Sequence, residues 1–133
     1  MVMAMNTKKV LIVDDEAYIR ILLEQALEDL ENHNIGLLMG SNGCQAVDMA
    51  NREHPDVIVM DVMMPEMDGF DACEKIKHLS ASYNPYIILL TARGQSADRA
   101  HGHDVGADDY VTKPFDPDAL LGKVASVLSV TVS

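Results

Sequence analysis

The sequence predicts an α/β domain: one parallel sheet of five strands, doubly wound with helices on both faces, in the strand order 2-1-3-4-5. Three observations carry this. Five short runs of β-branched and aliphatic residues alternate with five stretches of helical character, the pattern of a parallel sheet with right-handed crossovers. The clearest run, Asp56-Val57-Ile58-Val59-Met60-Asp61, is apolar throughout its middle, as in a strand buried on both faces. It also stops on a carboxylate just ahead of a loop containing Pro65 and Gly69, and in open α/β sheets ligands bind at the carboxyl ends of the strands.

The first strand is Lys8-Lys9-Val10-Leu11-Ile12-Val13, ending at Asp14-Asp15-Glu16. A helix follows, because Ile19, Leu22, Leu23, Ala26, Leu27 and Leu30 form one stripe at helical spacing. Asp15 is expected to cap its first turn, and Asn32-His33-Asn34 ends it. Ile35 to Met39 is a weaker second strand, interrupted by Gly36. Ser41-Asn42-Gly43 turns into a short helix carrying Ala46, Val47 and Ala50, which stops at His54-Pro55 because a residue before Pro avoids the helical region. After the third strand, Phe70, Cys73, Ile76 and Leu79 share the face of a third helix, and Ser80 to Pro85 is a loop.

Tyr86 to Leu90 is the fourth strand, with Thr91 at its end. Arg93 to Asp104 predicts a fourth helix poor in large apolar residues and containing Gly102. An interior glycine costs about 1 kcal/mol relative to Ala, so this helix is the least firmly held. Asp109 to Thr112 is a short fifth strand leading into Lys113-Pro114-Phe115. Asp116 caps the last helix, Pro117 takes its first position, and Leu120, Leu121, Val124, Val127 and Leu128 are its stripe. With no linker or repeat in view, residues 1–7 form an N-terminal tail, 8–129 the domain and 130–133 a C-terminal tail.

The formal net charge is −11, which argues against a basic nucleic-acid-binding face and favours cations or basic partner surfaces. No apolar run approaches the roughly 20 residues that span a membrane, and the first residues lack the layout of a signal peptide. Cys44 and Cys73 form no CxxC pair. They are expected to be two reduced, mostly buried thiols of a cytoplasmic protein.

Chemistry concentrates on one rim. Asp14 and Asp15 end the first strand, Asp61 the third, Thr91 the fourth and Lys113 the fifth. Parallel strands all end on the same side, so these groups converge. Clustered carboxylates repel and persist only with a cation, a proton or a paired amine. Lys113 supplies one charge, and a divalent ion offsets more. Oxygen-only ligands suit Mg²⁺, which also pairs with phosphate oxygens. A carboxylate can then act as nucleophile toward a phosphoryl group, a reaction that needs alignment and charge neutralisation. Lys113, Mg²⁺ and the Thr91 hydroxyl would serve the three equatorial oxygens.

The Asp14-Asp15 pair, Asp61 ahead of Met63-Met64-Pro65-Glu66-Met67-Asp68-Gly69, Thr91-Ala92 and Lys113-Pro114-Phe115 together resemble the receiver domains of two-component response regulators, chemotaxis receivers among them, over roughly residues 8 to 129. Each piece alone is weak; the four in order at strand ends are specific. The resemblance implies a flavodoxin-like fold and a phosphorylation-dependent signalling switch. In it Asp61 is the phosphoacceptor. Asp15 binds Mg²⁺ directly, Asp14 mainly through water, and Asp61 and the Met63 backbone carbonyl complete the protein ligands. Lys113 pairs with Asp61 and then with the phosphoryl group, Thr91 and Tyr110 are switch residues, small Ala92 leaves access, and Lys113-Pro114 is cis. The resemblance further implies a domain that catalyses its own phosphorylation and dephosphorylation without being an enzyme in the ordinary sense. A histidine kinase or histidine phosphotransfer protein is the donor. A downstream protein or effector domain reads the face made by the fourth helix, fifth strand and fifth helix. The chain is expected to be a monomer or weak homodimer. Its last helix ends close to Ser133, so it is expected to be either a stand-alone receiver or a piece of a longer regulator or hybrid kinase.

Other readings stand beside this one. The acid pair taken alone would be helix-capping residues, Thr91 a cap and Lys113 an exposed lysine. Tyr110 is equally a packed aromatic. The methionines at 60, 63, 64 and 67 read as packing and loop residues, and His101 and His103 as a solvated helix face. From a different class, a Mg²⁺-dependent phosphohydrolase could use Asp61 as a covalent nucleophile. Such enzymes carry a second acid two residues on, where this chain has Met63. A docking module with an inert site is the third reading.

Overall fold

A computed structural model describes residues 7–92 and 104–132. The strands are β1 (Lys9–Val13), β2 (Gly36–Gly40), β3 (Val57–Asp61), β4 (Tyr86–Ala92) and β5 (Asp109–Lys113), and the helices α1 (Ala17–Leu27), α2 (Gly43–Glu53), α3 (Gly69–Lys77) and α4 (Pro117–Leu128). The strands are parallel, as the alternation of the sequence implies, and lie in the expected order β2-β1-β3-β4-β5. The weak fourth helix predicted from Arg93 to Asp104 lies outside the described residues except for Asp104.

The continuous apolar runs are explained by two cores. Leu11, Val13, Ile58, Met60, Ile87 and Leu89 point into one layer with Ala46, Ala50, Phe70, Cys73 and Ile76 of α2 and α3. Val10, Ile12, Val57, Val59, Ile88 and Leu90 point into the other with Leu23, Leu27, Leu120, Val124 and Leu128 of α1 and α4. Alternate residues therefore serve opposite faces, and both faces are covered. Burying each such side chain contributes about 1.5–3 kcal/mol, so the three central strands are the anchor from which the strand-end groups project.

Several local expectations change. The regular turns of the first helix stop at Leu27, and a 3-10 segment, Glu28–His33, continues to Asn34 in the left-handed region. Leu30 is still buried there, which is why the apolar stripe ran past the helix end. Gly36 opens β2 rather than interrupting it, pairing with Lys9 of β1. The loop after α3 contains one antiparallel bridge between Ser80 and Tyr83. Cys73 is buried as expected, but Cys44 is exposed, because Gly43, Ala46 and Ala50 are the residues of α2 that face the core. Val130 and Val132, placed by the sequence in a tail, pack partly buried against the α1/α4 layer.

The far side of the sheet is tied by Lys77. Its Nζ donates to the Pro85 carbonyl (2.6 Å), to Asn84 Oδ1 (2.9 Å) and to Asp108 Oδ2 (2.8 Å), and Asp108 Oδ2 also accepts from the Ile87 N–H at 2.8 Å. One ammonium thus joins the end of α3, the entry to β4 and the approach to β5. Removing it leaves a partly buried carboxylate and a carbonyl without that partner, which costs about 2 kcal/mol. Lys77→Met, which keeps the stem, is expected to lower the urea unfolding free energy by that amount; a change under ~0.5 kcal/mol would place the network in bulk solvent.

Candidate phosphoacceptor site

The chain turns from β1 into α1 through Asp14, and this turn is held at several points. The Asp14 N–H donates to the Gly40 carbonyl at the end of β2 (3.2 Å). Asp14 Oδ1 accepts the Glu16 N–H at 2.9 Å, and its backbone carbonyl accepts from Arg20 Nη1 at 2.7 Å. Glu16, not Asp15, is the cap residue of α1, and it makes no side-chain cap hydrogen bond. The Asp14 carboxylate substitutes by holding the Glu16 N–H, which leaves Asp15 exposed at the rim.

Asp61 is the last residue of β3, paired with Leu90 of β4, and is only 3% exposed. The loop after it is pressed from two sides. A Cβ on Gly69 would land on the Asp61 carbonyl oxygen, and one on Gly43 would land on the Met67 carbonyl oxygen, so both helix starts approach the loop closer than any side chain allows. Thr91 follows Leu90 on β4 and is buried; Ala92 beside it is exposed and pairs with Lys113 of β5.

Lys113 Nζ reaches back across the strand ends to lie 2.9 Å from Asp61 Oδ1 and 3.9 Å from Asp14 Oδ2. The Lys113-Pro114 bond is cis. Asp14, Asp15 and Asp61 each offer an oxygen, and these atoms lie within 4.8 Å of one another. Asp14 Oδ2 and Asp61 Oδ1 are buried without an aligned hydrogen bond; for Asp61 the lysine is a close charge rather than a well-directed donor. Two buried carboxylate oxygens left in this state, beside a third acid at the surface, are a donor set that fits a hard divalent cation.

The electrostatics carry the same signature. Burial pushes the Asp14 carboxyl up from 3.8 to about 6, with the Glu16 N–H opposing and Asp61 adding to the rise. Burial also raises Asp61, against the pull of Lys113 and of the Met63 N–H. Burial works against the Lys113 charge, yet Asp61 and Asp14 outweigh it and hold its ammonium above the usual range. Acids raised by burial and facing one cation are the electrostatic arrangement that functional sites commonly use.

The geometry therefore brings together Asp14, Asp15, Asp61 and Lys113 and sets Thr91 on the adjacent strand. Met63 has an exposed side chain and contributes its N–H to Asp61. Tyr110, on β5, is half-buried and packs against the α2/α3 layer. Sequence reasoning missed Arg20, and it named Gly43 and Gly69 as turn and loop residues without the close backbone approach they permit. The glycines had a signal, since each opens a helix beside a predicted rim loop. Arg20 had none beyond its place one turn after the acid pair.

Residues 10–125 match the response regulator receiver domain. The chain belongs to that family. Receiver domain membership places it in phosphorylation-dependent two-component signalling. Among curated relatives, the receiver is 44% identical over 124 residues to a probable transcriptional regulator, ycf27, of Guillardia theta, covering 93% of this chain and 46% of that one. It is 38% identical over 121 residues to the alkaline phosphatase synthesis transcriptional regulatory protein PhoP of Bacillus subtilis, covering 91% and 48%. The chain thus spans about half the length of the curated relatives it matches. A solved structure of the receiver domain of a sensor histidine kinase from Pseudomonas aeruginosa superposes with a TM-score of 0.81 at 28% identity, covering 92% of this chain and 98% of that one; it holds a magnesium ion in its active site cleft. A response regulator structure from Chloroflexus aurantiacus gives the same TM-score and identity, covering 93% and 99%. Among the described residues no helix is long and apolar enough to cross a membrane.

Proposed function

We propose that this receiver accepts a phosphoryl group on Asp61 from a phosphohistidine of a histidine kinase or histidine phosphotransfer protein, and that the aspartyl phosphate changes which partner it binds. The observation that carries the reading is the pair of buried, imperfectly satisfied carboxylate oxygens facing Lys113 at 2.9 and 3.9 Å. An Asp61 oxygen attacks phosphorus, the phosphorus–nitrogen bond of the donor breaks, and its electron pair stays on the imidazole, which takes up a proton. Lys113, already at Asp61, neutralises a phosphoryl oxygen as it arrives. Thr91 donates its hydroxyl to another, and the small Ala92 side chain leaves the approach open. Asp15, Asp14 and the Met63 carbonyl would hold Mg²⁺, Asp14 mainly through water. When bound, Mg²⁺ supplies neutralisation of charge on the transferring group. The same groups, with water as acceptor, perform dephosphorylation, so the domain catalyses both steps on itself.

Output follows from a shift between two pre-existing states. Thr91 moves toward the phosphoryl group, and Tyr110, half-buried on β5, turns inward behind it. The readable surface is then β5, α4 and the segment preceding β5. The relatives' description as transcriptional regulators, together with their greater length, supports an effector domain or separate protein as the reader. The acidic balance supports protein rather than nucleic acid as this domain's own partner, and the two-component reading implies a cytoplasmic setting.

Intact mass after incubation with acetyl phosphate tests the reading. One added phosphoryl group is expected on the wild type with Mg²⁺, none without Mg²⁺ and none on Asp61→Asn, with the amide signals of Thr91 and Tyr110 shifting in the phosphorylated form. An adduct that survives Asp61→Asn would sink the assignment. Turnover of small phosphate esters would favour a phosphohydrolase instead.

A further inference from the structure

We propose that Arg20 is a positioning residue for the acidic site, acting through the Asp14 carbonyl. The proposal rests on the phosphoacceptor reading above and adds a residue to it. Asp14 sits at the junction of β1 and α1, beyond the last residue of β1 that pairs with a neighbouring strand. Its carbonyl precedes the first turn of α1, so no helical N–H is due to it. Arg20 Nη1 fills that role at 2.7 Å, from a helix position whose own N–H bonds the Glu16 carbonyl at 3.0 Å. Arg20 therefore holds both ends of the turn that carries Asp14, Asp15 and Glu16, the Asp14 carbonyl by its guanidinium and the Glu16 carbonyl by its backbone N–H. With the carbonyl fixed by Arg20, the N–H by Gly40 and Oδ1 by the Glu16 N–H, one freedom remains to Asp14. Its Oδ2 faces Lys113 and Asp61.

Charge and positioning predict opposite signs, which makes the proposal testable. If Arg20 acted only as a nearby positive charge, removing it would make the cluster more negative and tighten a divalent cation. If it positions the turn, removing it loosens Asp14 and Asp15 and weakens the cation. Groups that orient metal ligands typically contribute 10–100-fold in affinity.

The measurement is a Mg²⁺ titration of the whole chain by calorimetry, on wild type, Arg20→Ala and Arg20→Lys, with thermal unfolding recorded for each. Arg20→Ala is expected to weaken Mg²⁺ about tenfold, and Arg20→Lys, which keeps a donor, to fall between. In the metal-free proteins the Glu16 amide signal is expected to move and its hydrogen exchange to quicken in Arg20→Ala, with Arg20→Lys restoring part of both. Should Arg20→Ala not fold, Arg20→Lys carries the test with a smaller loss of affinity and a smaller Glu16 shift. Unchanged or tighter Mg²⁺ binding with an unmoved Glu16 amide would overturn the role of Arg20 while leaving the phosphoacceptor reading intact. Absence of Mg²⁺ binding by the wild type would overturn both.

Discussion

Gly69→Ala is expected to destabilise the domain by about 3 kcal/mol, the upper end of what overpacking usually costs, and to slow phosphorylation of Asp61. A methyl at this position meets the Asp61 carbonyl oxygen and lies 2.9 Å from Val62 Cα. Both are backbone atoms, so no side chain can swing away to make room. The alternatives are to move α3 off the strand end or to twist the strand end itself. Moving α3 breaks the Gly69 N–H to Val62 carbonyl bond at 2.9 Å and disturbs the Asp68 cap, whose Oδ1 accepts the Asp71 N–H at 2.9 Å. Twisting the strand turns the Asp61 carboxylate away from Lys113. Either route links a packing defect to the site. Gly122→Ala is the control: nothing lies within 4 Å of its Cβ position, and in the middle of α4 the change should stabilise by about 1 kcal/mol. Urea unfolding of the two variants, with acetyl phosphate labelling rates, checks both. A Gly69→Ala protein within ~0.5 kcal/mol of wild type would mean that the α3–β3 approach is looser than the structure has it.

The contrast between what was legible in the sequence and what was not has a physical basis. The parallel sheet and the converging rim could be read because both are consequences of chain alternation, whereas the strand order is that of the flavodoxin-like arrangement the chain resembles. Apolar runs such as Val57 to Met60 must be buried on both faces, parallel strands must end together, and Asp61 and Lys113 then meet without any knowledge of loops. Boundaries were less legible where two packing modes bury the same residue, as with Leu30, which stays in the core although α1 has given way to a 3-10 segment. Cys44 illustrates a related limit. A small apolar residue near the start of a helix can face either way, and the face was settled by Gly43, Ala46 and Ala50. That Glu16 rather than Asp15 is the cap residue of α1, its N–H held by the Asp14 carboxylate, depends on the backbone path of the turn, as does the clamp by Arg20, and neither leaves a trace in residue spacing.

Asp14→Asn is expected to make the metal-free domain more stable near neutral pH, by an amount that disappears in acid. The folded protein holds the Asp14 carboxyl at about 6 against an ordinary 3.8. Below about 3.8 the group is protonated in both folded and unfolded chains and contributes nothing to pH dependence. Between those values the folded state keeps a proton that the unfolded chain releases, so the folded state binds more protons and stability falls as pH rises. Above about 6 the loss is complete and flat. A shift of this size corresponds to at most about 3 kcal/mol, reduced to the extent that Lys113 follows the charge. Asp61 is raised by burial in the same direction, so it adds to the wild-type trend. Glu53 and Asp109, both lowered, oppose it. The difference between wild type and variant cancels Glu53 and Asp109, which lie away from the rim, and reports Asp14 together with its coupling to Asp61 and Lys113. Asparagine keeps an oxygen for the Glu16 N–H and puts a neutral amide nitrogen where Oδ2 faced Lys113. Urea unfolding in chelator at about pH 3 and about pH 7 should therefore show the variant level with wild type at the first and ahead by ~2 kcal/mol at the second. Adding Mg²⁺ at neutral pH should reverse the ranking, since a ligand that binds only the folded state stabilises in proportion to its affinity, and the variant has lost part of that affinity. A variant that gains nothing between the two pH values would mean that Lys113 already holds Asp14 ionised throughout. The rim would then be a settled ion pair, not a set of charges that becomes favourable only when a cation and a phosphoryl group arrive.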